Sequence, residues 1–174
     1  ELQRKDSIIT SAMRDELKRN MENLSEEGYD KPFFMGYRVS DLELKLASAT
    51  LGALTMSREG KTRDWNTRIM VGDYDINDEN FNDSFEGNSK DTYYESVPLE
   101  EDYWGIRRML WASTNNVYKR AARLYKLKIK AIDDFDIDYK LSDFSKEQPQ
   151  KYRDDQKLVL TDRSALEKLS IELS

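Results

Sequence analysis

The segment from Glu100 to about Ala131 constrains the fold most, because its periodicity is that of one long helix with an unusually wide apolar face. At about 100° per residue, six residues share one arc: Ile106, Leu110, Ser113, Val117, Ala121 and Leu124. Four aromatic residues repeat every seven positions beside that arc: Trp104, Trp111, Tyr118 and Tyr125. The opposite side is basic and typical of a solvated face. Such a helix needs a broad apolar surface to pack on.

Two patterns that precede this helix supply that surface. Apolar residues at steps of three and four predict an N-terminal helix: Ile9, Met13, Leu17, Met21 and Leu24. From Phe33 the period changes to two, which predicts strands at 33–39, at 42–46 running on toward 51–56, and at 65–71. Residues 57–60, which end in Gly60, read as the turn of an antiparallel hairpin.

These patterns together predict an α+β fold. We expect an antiparallel sheet of three to four strands, with the N-terminal helix and the long amphipathic helix packed on it. The predicted domain covers residues 1–140, and residues 141–174 form a polar connector and the start of a helix. Residues 158–160 resemble a short strand, and Ser164 and Glu167 are spaced as a capping box in the last helix.

The absence of His and Cys from all 174 residues restricts the chemistry. Catalytic pairs of Ser with His or Cys with His are excluded, and zinc sites lose their usual ligands. The sequence also contains no phosphate-binding loop, dinucleotide fingerprint or nucleophile elbow. A hydrolase built on carboxylates remains conceivable, but 34 acidic residues place some pairs close together by chance. The residues alone favour a non-catalytic domain.

The charge and hydropathy of the chain bear on its partners. The 28 basic and 34 acidic residues give a net charge of -6, which offers no broad attraction for nucleic acid. No apolar run approaches the roughly 20 residues of a membrane-spanning helix. We therefore predict neither a nucleic-acid partner nor a membrane-spanning segment.

An acidic stretch, residues 73–103, follows the last predicted strand and has two possible roles. Asp73, Asp75 and Asn77 occupy the first, third and fifth positions of a calcium-binding loop, but Asp78 stands where Gly is needed and Ser84 where Glu should close the shell. The run from Asp134 to Asp138 starts similarly and also lacks the closing Glu. A solvated acidic loop is favoured over a cation site, although both interpretations stay open.

The aromatic residues also have two interpretations. Large aromatics at helical spacing most often pack in the core, and this is the preferred interpretation for the four on the long helix. The alternative is a surface for a substrate or partner, for which Trp104 and Trp111 are candidates on that helix. Phe85, Tyr93 and Tyr94 are further candidates within the acidic stretch.

Several local strings resemble the N-terminal domain of the TldD/PmbA family of metallopeptidase-related proteins, once described as modulators of DNA gyrase. Their order and spacing are similar to those of the large secreted-type branch of that bacterial family, and together they span about residues 8–174. The strings are Lys31-Pro32-Phe33-Phe34-Met35-Gly36-Tyr37, Leu51-Gly52-Ala53, Arg68-Ile69-Met70-Val71-Gly72-Asp73-Tyr74, Val97-Pro98-Leu99-Glu100-Glu101-Asp102, Arg107-Arg108-Met109-Leu110-Trp111 with Thr114 and Tyr118, and Asp143-Phe144-Ser145-Lys146-Glu147 with Pro149.

The resemblance implies a domain without catalytic or metal-binding residues of its own. In that family the zinc ligands and the glutamate base lie in a separate C-terminal domain, so zinc would be the cofactor of that domain and of no residue in this chain. Family members form dimers that enclose a cleft and degrade unfolded peptides. The implied partners are therefore the chain's own C-terminal domain, a second subunit in a homo- or heterodimer, and an unfolded peptide.

The function expected from the resemblance is that of a non-catalytic N-terminal domain that shapes the substrate cleft and supports dimerisation. In this hypothesis residues 77–94 border the cleft entrance, and Phe85, Tyr93 and Tyr94 contact extended peptide. The alternative is a protein-interaction domain, either free-standing or part of an inactive partner subunit. The start at Glu1 without Met and the end at Ser174 within a helical pattern suggest a fragment, with a lean toward an extracytoplasmic location.

Overall fold

The strands follow one another between the N-terminal helix and the two C-terminal helices, as expected for an α+β protein. The computed structural model describes residues 2–81, 95–96, 100–152, 154, 156 and 159–174. Its elements in chain order are α1 (Leu2–Asn23), β1 (Pro32–Thr50), β2 (Ala53–Val71), β3 (Glu95–Ser96), α2 (Tyr103–Asp134) and α3 (Arg163–Leu173). The α+β fold class is therefore confirmed.

The sheet consists mainly of one long antiparallel hairpin. Its strands β1 and β2 have 19 residues each, and the two-residue strand β3 is hydrogen-bonded to β2. The total of three to four strands stays a prediction, because residues 82–94 and 97–99 lie outside the described part of the chain.

The hairpin turn lies at Leu51 and Gly52, so the turn predicted at residues 57–60 was wrong. Both turn residues have positive φ, 52° for Leu51 and 76° for Gly52, as a two-residue hairpin turn of type I′ requires. Gly60 lies within β2 instead. Three side-chain contacts join the two strands: Thr55 with the Ser48 carbonyl, Lys61 with Glu43, and Arg63 with Asp41.

The chain divides into two units. The first consists of Glu1–Val39 and Trp65–Glu147, and the second of Ser40–Asp64 and Gln148–Ser174. Each unit therefore contains one half of the hairpin and at least one helix. The expected domain boundary near residue 140 stays a prediction.

The core of the first unit lies where α2 packs on the parts of β1 and β2 that belong to this unit, residues 32–39 and 65–71. The six residues of the predicted apolar arc are all buried, which confirms the face assigned to α2. Around them, the buried side chains from the strands are Met35, Trp65, Thr67, Ile69 and Val71. Within this core the hydroxyls of Thr67 and Ser113 lie 2.7 Å apart, so the buried polar groups satisfy each other.

The turn that follows β2 is built by its own acidic and amide side chains. Asp78 accepts a hydrogen bond of 2.7 Å from the Val71 amide, and Asn77 donates one of 3.0 Å to the Asp73 carbonyl. Gly72 is required there because its φ is +109° and because a Cβ would lie 2.3 Å from the Ile76 carbonyl oxygen. The start of the predicted acidic loop is therefore an ordered turn.

A buried ion pair attaches this turn to α2. Lys128 Nζ lies 2.7 Å from Asp143 Oδ2, and both side chains are almost fully buried. Burial pushes the pKa of Asp143 upward, but hydrogen bonds from Lys128, the Asn77 amide and Tyr139 outweigh it and hold that pKa below its ordinary value. Burial likewise opposes the charge of Lys128, yet its bonds to Asp143 and Tyr139 raise its pKa. Both groups are therefore charged at neutral pH.

In the second unit, α3 lies against the part of the hairpin that belongs to this unit, residues 40–64. Asp162 caps α3 by accepting a 3.0 Å hydrogen bond from the Ser164 amide, so the capping box predicted for Ser164 and Glu167 was wrong. Glu167 instead accepts hydrogen bonds from Ser57 and Arg163, and these lower its pKa. Of the predicted strand 158–160, Val159 and Leu160 are described and are not in a strand.

The second unit leaves many apolar side chains on its surface. Six from the hairpin are more than a third exposed: Leu42, Leu44, Leu46, Leu51, Leu54 and Met56.

Of the helices within the described ranges, none is long and apolar enough to cross a membrane.

Replacing Gly72 by Ala tests the packing of the turn after β2. We expect Gly72→Ala to lower the free energy of unfolding by about 3 kcal/mol, because Ala disfavours the positive φ and its Cβ would overlap the Ile76 carbonyl and the Tyr125 ring. Urea unfolding followed by tryptophan fluorescence measures this, since all three Trp lie in the first unit.

The matched control is Gly60→Ala, where an added Cβ meets nothing within 4 Å. Its effect should stay within about 0.5 kcal/mol. Equal effects of the two substitutions would contradict the packing described for Gly72.

The Lys128–Asp143 pair makes stability depend on pH in a defined direction. Because the folded pKa of Asp143 is lowered, its contribution is present above the unfolded value of about 3.9 and is lost as the pH falls through the folded pKa. Because the folded pKa of Lys128 is raised, its contribution is lost only as the pH rises above about 10.

Asp143→Asn should therefore destabilise the protein by about 3 kcal/mol at neutral pH, because it leaves Lys128 charged and unpaired. The difference from the unmodified protein should shrink as the pH falls below about 4. Unfolding curves across this range measure it, with the exposed Asp138→Asn as control. A difference that does not vary with pH would show that the pair is not the source.

Candidate functional site

A groove of about 340 Å³ lies between α1 and the first turns of α2, in the first unit. Its lining combines two indole rings, three guanidinium groups and one carboxylate. The six residues are Glu16, Arg19, Trp104, Arg107, Arg108 and Trp111. We take this groove as the candidate site, because it joins two exposed indole rings to charged groups in one concave surface.

The helix cap determines where the α2 side of the groove begins. The Asp102 carboxylate accepts a 3.0 Å hydrogen bond from the Trp104 amide and so fixes the first turn of α2. Gly105 leaves room for this cap, because a Cβ there would lie 2.7 Å from Asp102 Oδ2. From this fixed start, four residues at the spacing i, i+3, i+4 and i+7 form one face: Trp104, Arg107, Arg108 and Trp111.

The two Trp residues of that face are exposed. Trp104 is 66% and Trp111 53% accessible to solvent, whereas Tyr118 is 1% accessible and packs in the core. Tyr125 is partly buried against the same core. The preferred interpretation of the aromatic stripe as core therefore holds for the two Tyr residues and was wrong for the two Trp residues.

The wall of the groove on α1 is a buried carboxylate held by two arginines. Glu16 is only 1% exposed, and it forms an ion pair with Arg19 on its own helix. Its other oxygen accepts a 3.1 Å hydrogen bond from Arg107 Nε on α2. Because both carboxylate oxygens are occupied by guanidinium groups, Glu16 is poorly placed to act as a general base.

A chain of hydrogen bonds continues from Glu16 into the core. Asn20 Nδ2 donates to Glu16 Oε1 at 3.1 Å and to the Tyr37 hydroxyl at 3.0 Å, and that hydroxyl lies 2.5 Å from Thr114 Oγ1. Burial raises the pKa of Tyr37, although its hydrogen bonds with Thr114 and Asn20 act in the opposite direction. Tyr37 is therefore a neutral group that connects α1, β1 and α2.

Arg107 is further anchored at the rim of the groove. Burial opposes its charge, but hydrogen bonds to Glu16 and to the Tyr103 hydroxyl hold the pKa of Arg107 above its ordinary value. Its guanidinium carbon lies 5.4 Å from the centre of the Trp104 ring, within the range of a cation–π contact. The hydrogen bond from the Tyr103 hydroxyl to Asp15 raises the pKa of Tyr103. Arg107 is thus positioned from several sides.

Arg108 differs from the other two arginines, because its guanidinium group has no hydrogen bond or ion pair with any residue that the structure describes. It is exposed and lies four residues after Trp104 and three before Trp111. Three guanidinium groups against one carboxylate give the groove lining two net positive charges, in a chain of net charge -6. The arrangement suits the binding of an anionic group beside flat apolar surfaces.

Three of the candidate contact residues, Phe85, Tyr93 and Tyr94, lie outside the residues that the structure describes. The other two candidate contact residues, Trp104 and Trp111, both line the groove. It also contains Glu16, which the sequence interpretation missed together with its partner Asn20. Their only signal is the spacing 12, 16, 20 on α1, where an apolar Ala12 is followed by two polar residues that are equally buried.

The two calcium-like sequences use their carboxylates for other contacts. Asp73 Oδ1 accepts hydrogen bonds from the amides of Asp75 and Ile76, which is a local turn. In the second sequence, Asp134 pairs with Lys130 and Asp138 with Lys140. Among the described residues, no three His, Cys, Asp or Glu side chains are grouped so that they could hold a metal ion.

Glu16→Ala tests the buried clamp. We expect it to lower the free energy of unfolding by about 3 kcal/mol, because it leaves the guanidinium groups of Arg19 and Arg107 without their buried anion. Glu16→Gln keeps the shape and one acceptor and should cost less. Urea unfolding measures both, and Glu22→Ala on the exposed side of α1 is the matched control. Equal stability of the Glu16 and Glu22 variants would contradict the role assigned to Glu16.

Comparisons with known proteins do not assign this chain. No family profile, no curated protein and no solved structure matches it. A proposal of function therefore depends on the contacts of its own residues and on the resemblance of its sequence strings.

Proposed function

We propose that this chain is the non-catalytic N-terminal domain of a TldD/PmbA-like zinc metallopeptidase. In this role it shapes the cleft that admits unfolded peptides and supports dimerisation. The proposal includes a sheet of three to four strands and a location outside the cytoplasm. Zinc would belong to a separate C-terminal domain, since a chain without His and Cys lacks the usual zinc ligands.

The observation that supports this proposal most is the position of one string from the resemblance. Residues 107–111 supply three of the six residues that line the groove: Arg107, Arg108 and Trp111. A stretch of sequence that carries the resemblance therefore also carries the exposed aromatic and cationic groups of the candidate site. Exposed indole rings beside charged groups are typical of surfaces that bind other chains.

Other strings of the resemblance fall where the backbone has a specific requirement. Gly52 lies in the hairpin turn and Gly72 in the turn after β2, and both have positive φ. Asp102 caps α2, and Asp143 forms the buried pair with Lys128. In the proposal, these residues of the strings are the ones that hold the turns, the helix cap and the buried ion pair.

The alternative function is that of a protein-interaction domain, free-standing or part of an inactive partner subunit. The exposed apolar residues of the second unit favour it, because Leu42, Leu44 and Leu46 are each more than 40% exposed. Such side chains on one strand are consistent with contact to another chain. The two functions differ in whether a zinc-binding domain accompanies this one.

Two measurements on the protein encoded by the complete gene separate these functions. The first is the zinc content and the chelator-sensitive cleavage of an unfolded peptide; we expect bound zinc and cleavage that chelation abolishes. A reading frame that ends at Ser174, or that continues without zinc ligands, would replace the proposal by the interaction domain.

The second measurement concerns the groove. If the domain shapes the substrate cleft, Trp111→Ala should raise KM several-fold and leave kcat nearly unchanged, because the ring contacts substrate and not the reacting atoms. Tyr152→Ala is the control, since Tyr152 is an exposed aromatic residue outside the groove. A fall in kcat with unchanged KM would contradict a role in substrate binding.

A further inference from the structure

We propose that the groove lined by Trp104, Arg108 and Trp111 binds an extended peptide segment through an acidic side chain flanked by apolar ones. This inference names the ligand chemistry of the groove and so extends the proposed function. Binding itself needs no zinc domain, and its test is therefore separate from the test of that function.

The charge of the groove argues for an anionic ligand. Within its lining, Glu16 already has both oxygens engaged by Arg19, Arg107 and Asn20. Of the three arginines in the lining, Arg108 is the one whose guanidinium group is exposed and without a partner among the described residues. A ligand carboxylate is the group that a guanidinium binds best, through two parallel hydrogen bonds.

The spacing of the aromatic rings argues for an extended peptide. Trp104 and Trp111 are seven residues apart on one helix face, which corresponds to roughly 10 Å along the axis. In an extended peptide alternate side chains share one face, so residues i, i+2 and i+4 present three side chains to the helix over about 13 Å, close to the separation of the two indoles. A peptide lying along α2 can thus place an apolar side chain on each indole and a carboxylate between them, near Arg108.

The same features disfavour a nucleic acid as the ligand. A chain of net charge -6 repels a polyanion, and the two net positive charges of one short groove neutralise few phosphates. Two exposed indole rings could stack on bases, so an oligonucleotide is included in the test as a competing ligand.

The probe is a short peptide of Ser and Gly that carries Leu, Glu and Leu at alternate positions, so that the three side chains share one face. Its ends are acetylated and amidated so that Glu is its only charge. A second peptide has Gln in place of Glu. Binding to the complete chain is followed by isothermal titration calorimetry with the unlabelled peptides and by the emission of the exposed Trp residues. We expect the Glu peptide to bind about tenfold more tightly than the Gln peptide.

Matched variants locate the binding site. Arg108→Gln should weaken binding of the Glu peptide about tenfold and remove most of the difference between the two peptides. Arg14→Gln removes the same charge from an exposed position on α1 outside the groove and should leave binding unchanged. Because Arg108 and Arg14 are both exposed and unpaired among the described residues, both variants should fold, which circular dichroism checks.

Several outcomes would overturn the inference. Equal binding of the Glu and Gln peptides would show that the groove does not recognise a carboxylate. Equal losses of affinity in the two Arg variants would show a general effect of charge. Tighter binding of a thymidine oligonucleotide would assign the groove to phosphates. Self-association that Arg108→Gln abolishes and the Glu peptide does not displace would assign it to a second copy of the chain. Binding of the Glu peptide by a protein without zinc would support this inference while the proposed function fails.

Discussion

The buried carboxylate of Glu16 is the interaction on which the first unit depends, because it joins α1 to α2 at the edge of the groove. A carboxylate that is 1% exposed is tolerated only when its charge is matched, and two guanidinium groups and one amide match it here. This requirement fixes the rotation of both helices. It also brings Arg107 down onto α1, so that the neighbouring Trp104 and Arg108 remain at the surface.

The groove is thus a consequence of how α1 and α2 are held together. On α2, the apolar arc faces the sheet and satisfies the need for a core. α1 covers some of the residues beside that arc. The residues that it leaves exposed are Trp104, Arg108 and Trp111. Large indole rings are left in solvent here while smaller apolar groups are buried, and exposed apolar surface of this kind is common where another molecule binds. The proposed peptide-binding role follows from this contrast.

Much of the fold could be predicted from sequence because it follows local periodicity. The buried arc of α2 was predicted residue by residue, since apolar side chains at helical spacing have one common face. On α1 the most buried stripe includes Glu16 and Asn20, and no count of apolar residues can find it. Their burial depends on Arg107 and Tyr37, whose positions are known only once the chain is folded. The hairpin turn was missed because leucine rarely adopts a positive φ. Gly60 was therefore the more typical turn residue, although Leu51 has a positive φ in the structure.

The separation of the Glu16 contacts along the chain has a consequence for folding kinetics. Glu16 and Arg107 are 91 residues apart, whereas the hairpin closes through a two-residue turn. Interactions that form after the folding transition state slow unfolding more than they speed folding. A Glu16 clamp that closes after this state would contribute mainly to the lifetime of the folded state. In the proposed role among unfolded chains such a lifetime would matter, because each opening of α1 would expose the core of the domain to them.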